Sequence, residues 1–286
     1  MRNPLGGGGL PFSSDYDRQK PMNATLILTV FNGAPFLTQA LQSIERERGP
    51  GMEIIIVDDG SQDQSISLIE KWPFKVVRHQ EQKGVAAARN SGLKHAPGDY
   101  LFFLDYDDVL AEGSLHRRLA WHREHPEAWA MAGQPAGIIN AEGEVLRQYQ
   151  HVLHPDYSFP QKLSLDFFRS GGAYPVACWN LSWKRTLFDE IGYFNEELTI
   201  GEDFDFLMRV LTRYPLAVLR LPTVWRRWHK HNISVDTTSR PRLRPETIAI
   251  LTRLCHQYQI PVPHTWNLWE SSYQPGQLDS ANLFPS

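Results

Sequence analysis

The chain predicts an α/β fold: a mostly parallel sheet flanked by helices, followed by a C-terminal lobe. Three observations predict it. Short apolar runs alternate with helical periodicity from Thr25 onward, the runs end in turn-forming or acidic residues, and the alternation fades after Gly133.

Taken in order, Thr25 to Phe31 is the first strand, Asn32 and Gly33 turn the chain, and Pro35 opens a helix with Leu37, Ala40, Leu41 and Ile44 on one face. Glu53 to Val57 is a β-branched second strand. It runs into Asp58, Asp59, Gly60 and Ser61, and Ser61 is suited to cap the next helix. A third strand at Lys75 to Arg78 leads through Gly84 to a helix over Ala86 to Leu93. The fourth strand, Tyr100 to Leu104, also ends in acids: Asp105, Asp107 and Asp108. Beyond Gly133 comes a mixed segment with Gly171, Gly172 and several tryptophans, then a helix around Glu246 to Tyr258 and a Pro-rich polar tail.

Composition narrows the function. Hydrophobic residues at 42% suffice for a core, and aromatic residues at 12% are rich enough to suggest stacking on carbohydrate or bases. A net charge of -3 supplies no cationic field, so no nucleic-acid partner is expected. Cys178 and Cys255 lie in separate segments without metal-type spacing, which suggests neither a disulfide framework nor zinc and fits a reducing compartment. The sequence shows no transmembrane run and no secretion signal, so the expected location is cytoplasmic.

Open α/β sheets bind ligands at the carboxyl ends of their strands, so the two acidic clusters should share one crevice. If the strand alternation continues, Asp105 and Asp107 project to one side while Tyr106 points away, and both carboxylates can reach a hard divalent cation that clamps a diphosphate. A solvated acidic turn is the other reading of the same residues. From Gly201 onward, Phe204, Leu207, Val210 and Leu211 form a buried stripe with Asp205 and Arg209 as an exposed pair. Asp203 borders that stripe at the helix start, where it can act as a general base with a raised pKa or stabilise the helix terminus. His229 and its cationic neighbours can complete a metal shell or form a basic solvated loop. Trp179, Trp183, Trp225 and Trp228 are candidates for sugar stacking or for ordinary packing.

In chain order these motifs resemble family 2 inverting glycosyltransferases of the GT-A fold, a Rossmann-like architecture with a C-terminal acceptor lobe. The match runs from about Ala24 to Ser234: VDDGSQD from Val57, GVAAARNSG from Gly84, LDYDD from Leu104, GEDFDF from Gly201 and HKHNIS from His229. Thr29 and Val30 depart from the family's usual first strand. The resemblance implies Phe31 and Asn32 beside the nucleobase, Asp58 or Asp59 accepting from it, and Arg89 supporting the donor pocket. It further implies Asp105 on ribose and metal, Asp107 as the main ligand of Mn2+ or Mg2+, His229 as a further metal or diphosphate contact, Asp203 as base and Glu202 positioning the acceptor. The implied donor is a nucleotide diphosphate sugar, a UDP-sugar favoured. A glycan, lipid-linked or protein acceptor in polysaccharide or glycoconjugate synthesis is implied, with room for peripheral association at the inner face of the membrane.

The corresponding division is a tail without fixed structure at 1–21, a nucleotide-sugar-binding region at 22–132, an acceptor-binding and catalytic region at 133–235, and a C-terminal helix and tail at 236–286. Two rival readings remain: a haloacid-dehalogenase-like phosphatase with LDYDD as its nucleophile motif, and a non-catalytic nucleotide-sugar-binding protein in a glycan assembly complex.

Overall fold

The computed structural model describes residues 23–148, 162–170, 177–230, 232, 235–236, 242–243 and 245–262. The expected loose N-terminal segment, the Gly171–Gly172 pair, His231 and the Pro-rich tail lie outside the described residues.

The chain opens with β1 (Ala24–Val30), α1 (Ala34–Glu47), β2 (Met52–Asp58), α2 (Ser65–Ile69), β3 (Lys75–Arg78), α3 (Val85–His95) and β4 (Tyr100–Asp105). Then come β5 (Val109–Leu110), α4 (Ser114–Glu124), β6 (Ala130–Gln134), β7 (Gly137–Ile139), β8 (Val145–Gln148), β9 (Lys162–Leu163) and α5 (Leu165–Arg169). A 3-10 turn at Cys178–Asn180 enters β10 (Leu181–Lys184), followed by α6 (Thr186–Ile191), α7 (Glu202–Leu211), β11 (Leu216–Pro222) and β12 (Val224–Arg227). The short β13 (Val235–Asp236) and β14 (Arg242–Leu243) precede α8 (Pro245–Gln257).

Among the described residues, eight strands form one sheet in the order β3-β2-β1-β4-β10-β6-β11-β9. Strands β3, β2, β1 and β4 run parallel, as do β6 and β11, while β10 is antiparallel between β4 and β6. The segment after Gly133 thus extends the same sheet, and β6 spans the expected boundary at residue 132. A smaller sheet, β5-β12-β7-β8, stands beside it.

Both faces of β1 are covered, which is why its seven residues are buried without a polar alternation. Leu26, Leu28 and Val30 pack with Leu37, Leu41 and Ile44 of α1, whereas Ile27 packs with Ala88 and Leu93 of α3 and with the core around Phe206. Register then sets the site. Val30 pairs with Asp58 and Thr29 with Asp105, so β2 and β4 end within one residue of each other along β1.

Local chemistry corrects several expectations. Ser61 does not cap a helix: its hydroxyl accepts from the Asn32 N–H at 2.9 Å, and α2 begins only at Ser65. The first strand stops at Val30, and Phe31 is outside it. Asp205 is buried rather than exposed, because Tyr258 after α8 donates to its Oδ1 at 2.8 Å while Arg209 donates to Oδ2 at 2.9 Å. Helix α7 also buries more than one stripe: Phe206 and Met208 are fully enclosed, and Phe204 is only partly buried. Of the four tryptophans, Trp183 lies wholly in the core against Phe206 and Phe188, and Trp179 and Trp228 are buried too; only Trp225 is half-exposed.

Candidate active site

The carboxyl ends of β1, β2 and β4 meet the start of α7 and the end of β12. Phe31 is half-buried, and Asn32 is exposed with a left-handed φ of 49°. Asn32 Oδ1 accepts from the Gln62 N–H at 2.8 Å, which stitches the end of β1 to the acidic turn after β2. Gly33 is required because a β-carbon there would stand 2.6 Å from the Tyr106 ring.

The acids after β2 are engaged by protein donors. Asp58 is fully buried, accepts from the Ser61 N–H and faces Arg78 at 3.4 Å. Asp59 accepts from the backbone N–H groups of Lys83 and Gly84 and lies 2.6 Å from His79 Nδ1.

A second cluster centres on Arg89, buried on α3. Its guanidinium donates to Asp105 Oδ1 at 2.9 Å and, by a short contact, to Glu202 Oε1; Thr29 also donates to Asp105 at 3.2 Å. Burial works against the cation's charge, but Asp105, Glu202 and Asp203 outweigh it and hold Arg89 well above the ordinary arginine pKa. Burial, reinforced by Asp203 and Asp105 and opposed by Arg89, pushes Glu202 up to about 7. Asp203 is half-buried, and burial raises its pKa against the pull of Arg89. Its Oδ1 accepts from the Phe204 N–H at 2.7 Å, while Oδ2 has no hydrogen bond among the described residues. Cys178 lies in the same charged neighbourhood, and burial pushes its thiol far upward so that it stays neutral. Both cysteines are free and buried.

Asp107 belongs to a different grouping. Strand β4 ends at Asp105, so alternation does not carry on to Asp107; its Oδ2 instead lies 2.9 Å from His229 Nε2. Asn232 holds that arrangement, accepting from the His229 N–H at 2.8 Å and donating to the Arg227 carbonyl at 3.2 Å. Arg227 is buried, donates to the Asp107 carbonyl at 2.7 Å and gives its own N–H to Asp108. Phe36 stacks 4.3 Å from the His229 ring and 5.2 Å from the Arg227 guanidinium.

The structure therefore joins Asp105, Arg89 and Glu202, places Asp203 next to them, and pairs Asp107 with His229. Among the described residues, no group of three or more His, Cys, Asp and Glu side chains is arranged to hold a metal. Asp107 and His229 present one carboxylate and one imidazole at contact distance, a donor pair that fits a cation whose remaining positions are filled by phosphate oxygens.

The sequence does not single out His79; it marks Thr29 only as a departure in the first strand, and Arg227 and Asn232 only as members of the loop around His229, without the contacts they make. Thr29 carried a signal, one of two polar residues, with Thr25, in a largely apolar buried strand. Asn232 carried a weaker one, its spacing of three from His229.

The profile of the family described as Glycosyl transferase family 2 matches residues 25–192. The chain belongs to that family. This family 2 glycosyltransferase is 28% identical over 208 residues to the uncharacterized glycosyltransferase YwdF of Bacillus subtilis, covering 70% of this chain and 72% of YwdF. It is 29% identical over 196 residues to the minor teichoic acid biosynthesis protein GgaB of the same organism, covering 66% of this chain but 21% of GgaB. Among solved structures, S. aureus TarS 1-349 in complex with UDP-GlcNAc superposes with a TM-score of 0.63 at 20% identity, over 82% of this chain and 66% of that one. Mannosyltransferase PcManGT from Pyrobaculum calidifontis, in complex with GDP-Man and Mn2+, gives 0.52 at 20% identity, over 74% and 58%. Membership sets the phosphatase reading aside: LDYDD closes a central strand preceded by three strand–helix units and an acidic turn. Among the described residues, no helix is long and apolar enough to cross a membrane.

Proposed function

We propose that this glycosyltransferase moves a sugar from a nucleotide diphosphate donor, a UDP-sugar favoured, to an acceptor hydroxyl with inversion, using Mn2+ or Mg2+. The observation that carries the reading is Asp203: a half-buried carboxylate with one oxygen unpartnered among the described residues, beside the Asp105–Arg89–Glu202 cluster at the strand ends. Its raised pKa suits it to take the acceptor's proton. Glu202 is locked onto Arg89, which leaves Asp203 as the acting carboxylate and favours one direct displacement over a covalent intermediate.

The nucleoside would lie over Phe31, Asn32 and the Asp58–Asp59 turn, and Arg89 with Asp105 would orient the ribose and diphosphate. Asp107 and His229 would hold the cation. When bound, the cation supplies charge stabilisation for the departing diphosphate. The ligands named for TarS and PcManGT support a nucleotide-sugar donor and, for the latter, manganese. The likeness to GgaB, a teichoic acid biosynthesis protein, supports a polysaccharide or glycoconjugate product, with a glycan, lipid-linked or protein acceptor. The reading puts the enzyme in the cytoplasm, at the inner face of the membrane when the acceptor is lipid-linked.

The test is nucleotide release from a panel of UDP- and GDP-sugars with Mn2+. Asp203→Asn should lower turnover by about 10²- to 10⁴-fold while still binding donor, and Asp107→Ala should lose the cation-dependent part of nucleotide affinity. Normal turnover by Asp203→Asn, or no release from any donor by the wild-type chain, overturns the reading.

A further inference from the structure

The acidic turn after β2 and helix α3 meet at a residue to which no role has been given. His79 follows β3, is 7% exposed, and bridges two side chains: Nδ1 lies 2.6 Å from Asp59 Oδ1, and Nε2 lies 2.8 Å from Ser91 Oγ on α3. A carboxylate only accepts, so Nδ1 carries the proton and donates to Asp59, while Nε2 pairs with the Ser91 hydroxyl, which can both donate and accept. The order Asp–His–Ser is that of a hydrolase triad, but Ser91 sits inside α3, where neighbouring N–H groups are consumed by helix bonds and supply no oxyanion hole. The chain of bonds is a tether.

What it tethers matters for the donor. The His79 N–H donates to the Asp58 carbonyl at 2.9 Å, and Asp59 gathers the N–H groups of Lys83 and Gly84. A β-carbon on Gly60, which has a φ of +79°, would meet the Glu81 backbone at 2.7 Å, so the acidic turn and the loop into α3 lie backbone against backbone. Ser91 is two residues past Arg89, which contacts Asp105 and Glu202. One imidazole therefore links the turn that would carry the nucleobase to the helix that would carry the diphosphate side.

We propose that His79 is a positioning residue for the nucleotide: through Asp59 and Ser91 it holds the acidic turn and α3 as one preorganised donor cradle. The inference rests on the donor reading above and deepens it.

Two substitutions separate the two bonds, because an Asn amide nitrogen can take the place of Nδ1 and a Gln nitrogen that of Nε2. UDP is titrated by calorimetry in the presence of Mn2+. His79→Gln, which gives up the Asp59 bond, should weaken UDP by about tenfold, the scale of one buried hydrogen bond to a charged group. His79→Asn and Ser91→Ala, which keep that bond but cut the one to α3, should weaken UDP by about three- to fivefold, the scale of one neutral hydrogen bond; unchanged affinity in both would overturn the link to α3. In turnover assays the His79→Gln defect should fall on KM for the donor and leave kcat within about twofold, a split that general loss of stability does not produce. Should His79→Gln not fold, nitrogen-detected NMR of the wild-type imidazole decides: an Nδ1–H tautomer whose proton resonance moves on adding UDP supports the role, and an Nε2–H tautomer or an indifferent resonance overturns it. If wild type binds UDP and His79→Gln binds as tightly, the tether's role fails alone. If wild type binds neither UDP nor GDP, the donor reading fails and takes this inference with it.

Discussion

Replacing Glu202 by Gln should make the protein more stable while disabling it. Glu202 is 5% exposed at the first turn of α7, and burial with Asp203 and Asp105 nearby raises its pKa from 4.5 to about 7 despite Arg89. The folded carboxyl then holds its proton more tightly than the unfolded one, so folding stability falls as pH rises from 4.5 to about 7. At about 1.4 kcal/mol per pH unit, that interval amounts to about 3 kcal/mol lost above neutrality. Gln mimics the protonated acid and removes this loss. Urea unfolding followed by tryptophan fluorescence should show Glu202→Gln close to wild type at pH 4.5 and up to about 3 kcal/mol more stable at pH 8. Nucleotide release should fall, because Arg89 loses the anion that orients it. A variant less stable than wild type at pH 8 would show that the Arg89 contact outweighs burial, and the sign of the argument would be wrong.

Other outcomes follow from single contacts. Glu47, at the end of α1, accepts from Gly113 N–H at 2.6 Å and Leu115 N–H at 3.1 Å and so caps α4 from another helix; Glu47→Ala should cost about 1–2 kcal/mol in urea unfolding. Burial raises Glu47, but the His116, Gly113 and Leu115 bonds outweigh it and lower its pKa, so the cap's ionic contribution is present above 4.5 and is lost as pH falls through the depressed value. The His116 contact raises that imidazole above 6.5, so its smaller share, screened by exposure, is complete below 6.5 and is lost as pH rises through the raised value. Tyr258→Phe removes the donor to buried Asp205 and should cost about 1–3 kcal/mol, with faster hydrogen exchange at the start of α7. Gly33→Val would push a side chain into Tyr106 and should destabilise by about 1–3 kcal/mol, read as a lowered melting temperature.

Legibility followed the range of the forces involved. The strand near Lys75 to Arg78 was placed correctly, and Tyr100–Leu104 to within one residue, because β-branched and aromatic runs between turn residues report local preference. Asp205 was misread for the complementary reason: its i,i+4 pairing with Arg209 is local and real, but Tyr258, 53 residues away, buries it. Trp183 looked like a stacking candidate and is core, since residue type does not say which face of β10 meets Phe206.

By itself, the sequence determined the α/β alternation, the strand-end acids and the acidic start of α7, all of which are patterns within a few neighbouring residues; Arg89 entered only through the family resemblance of GVAAARNSG. Only the tertiary structure decided which acids act together. Arg89 reaches Glu202 across 113 positions, and Asp107 reaches His229 across 122. The reason is physical: pairing along β1 sets the level at which Asp58 and Asp105 emerge, and burial sets which carboxylates keep a proton. Both are properties of packing between distant segments, to which local periodicity is blind.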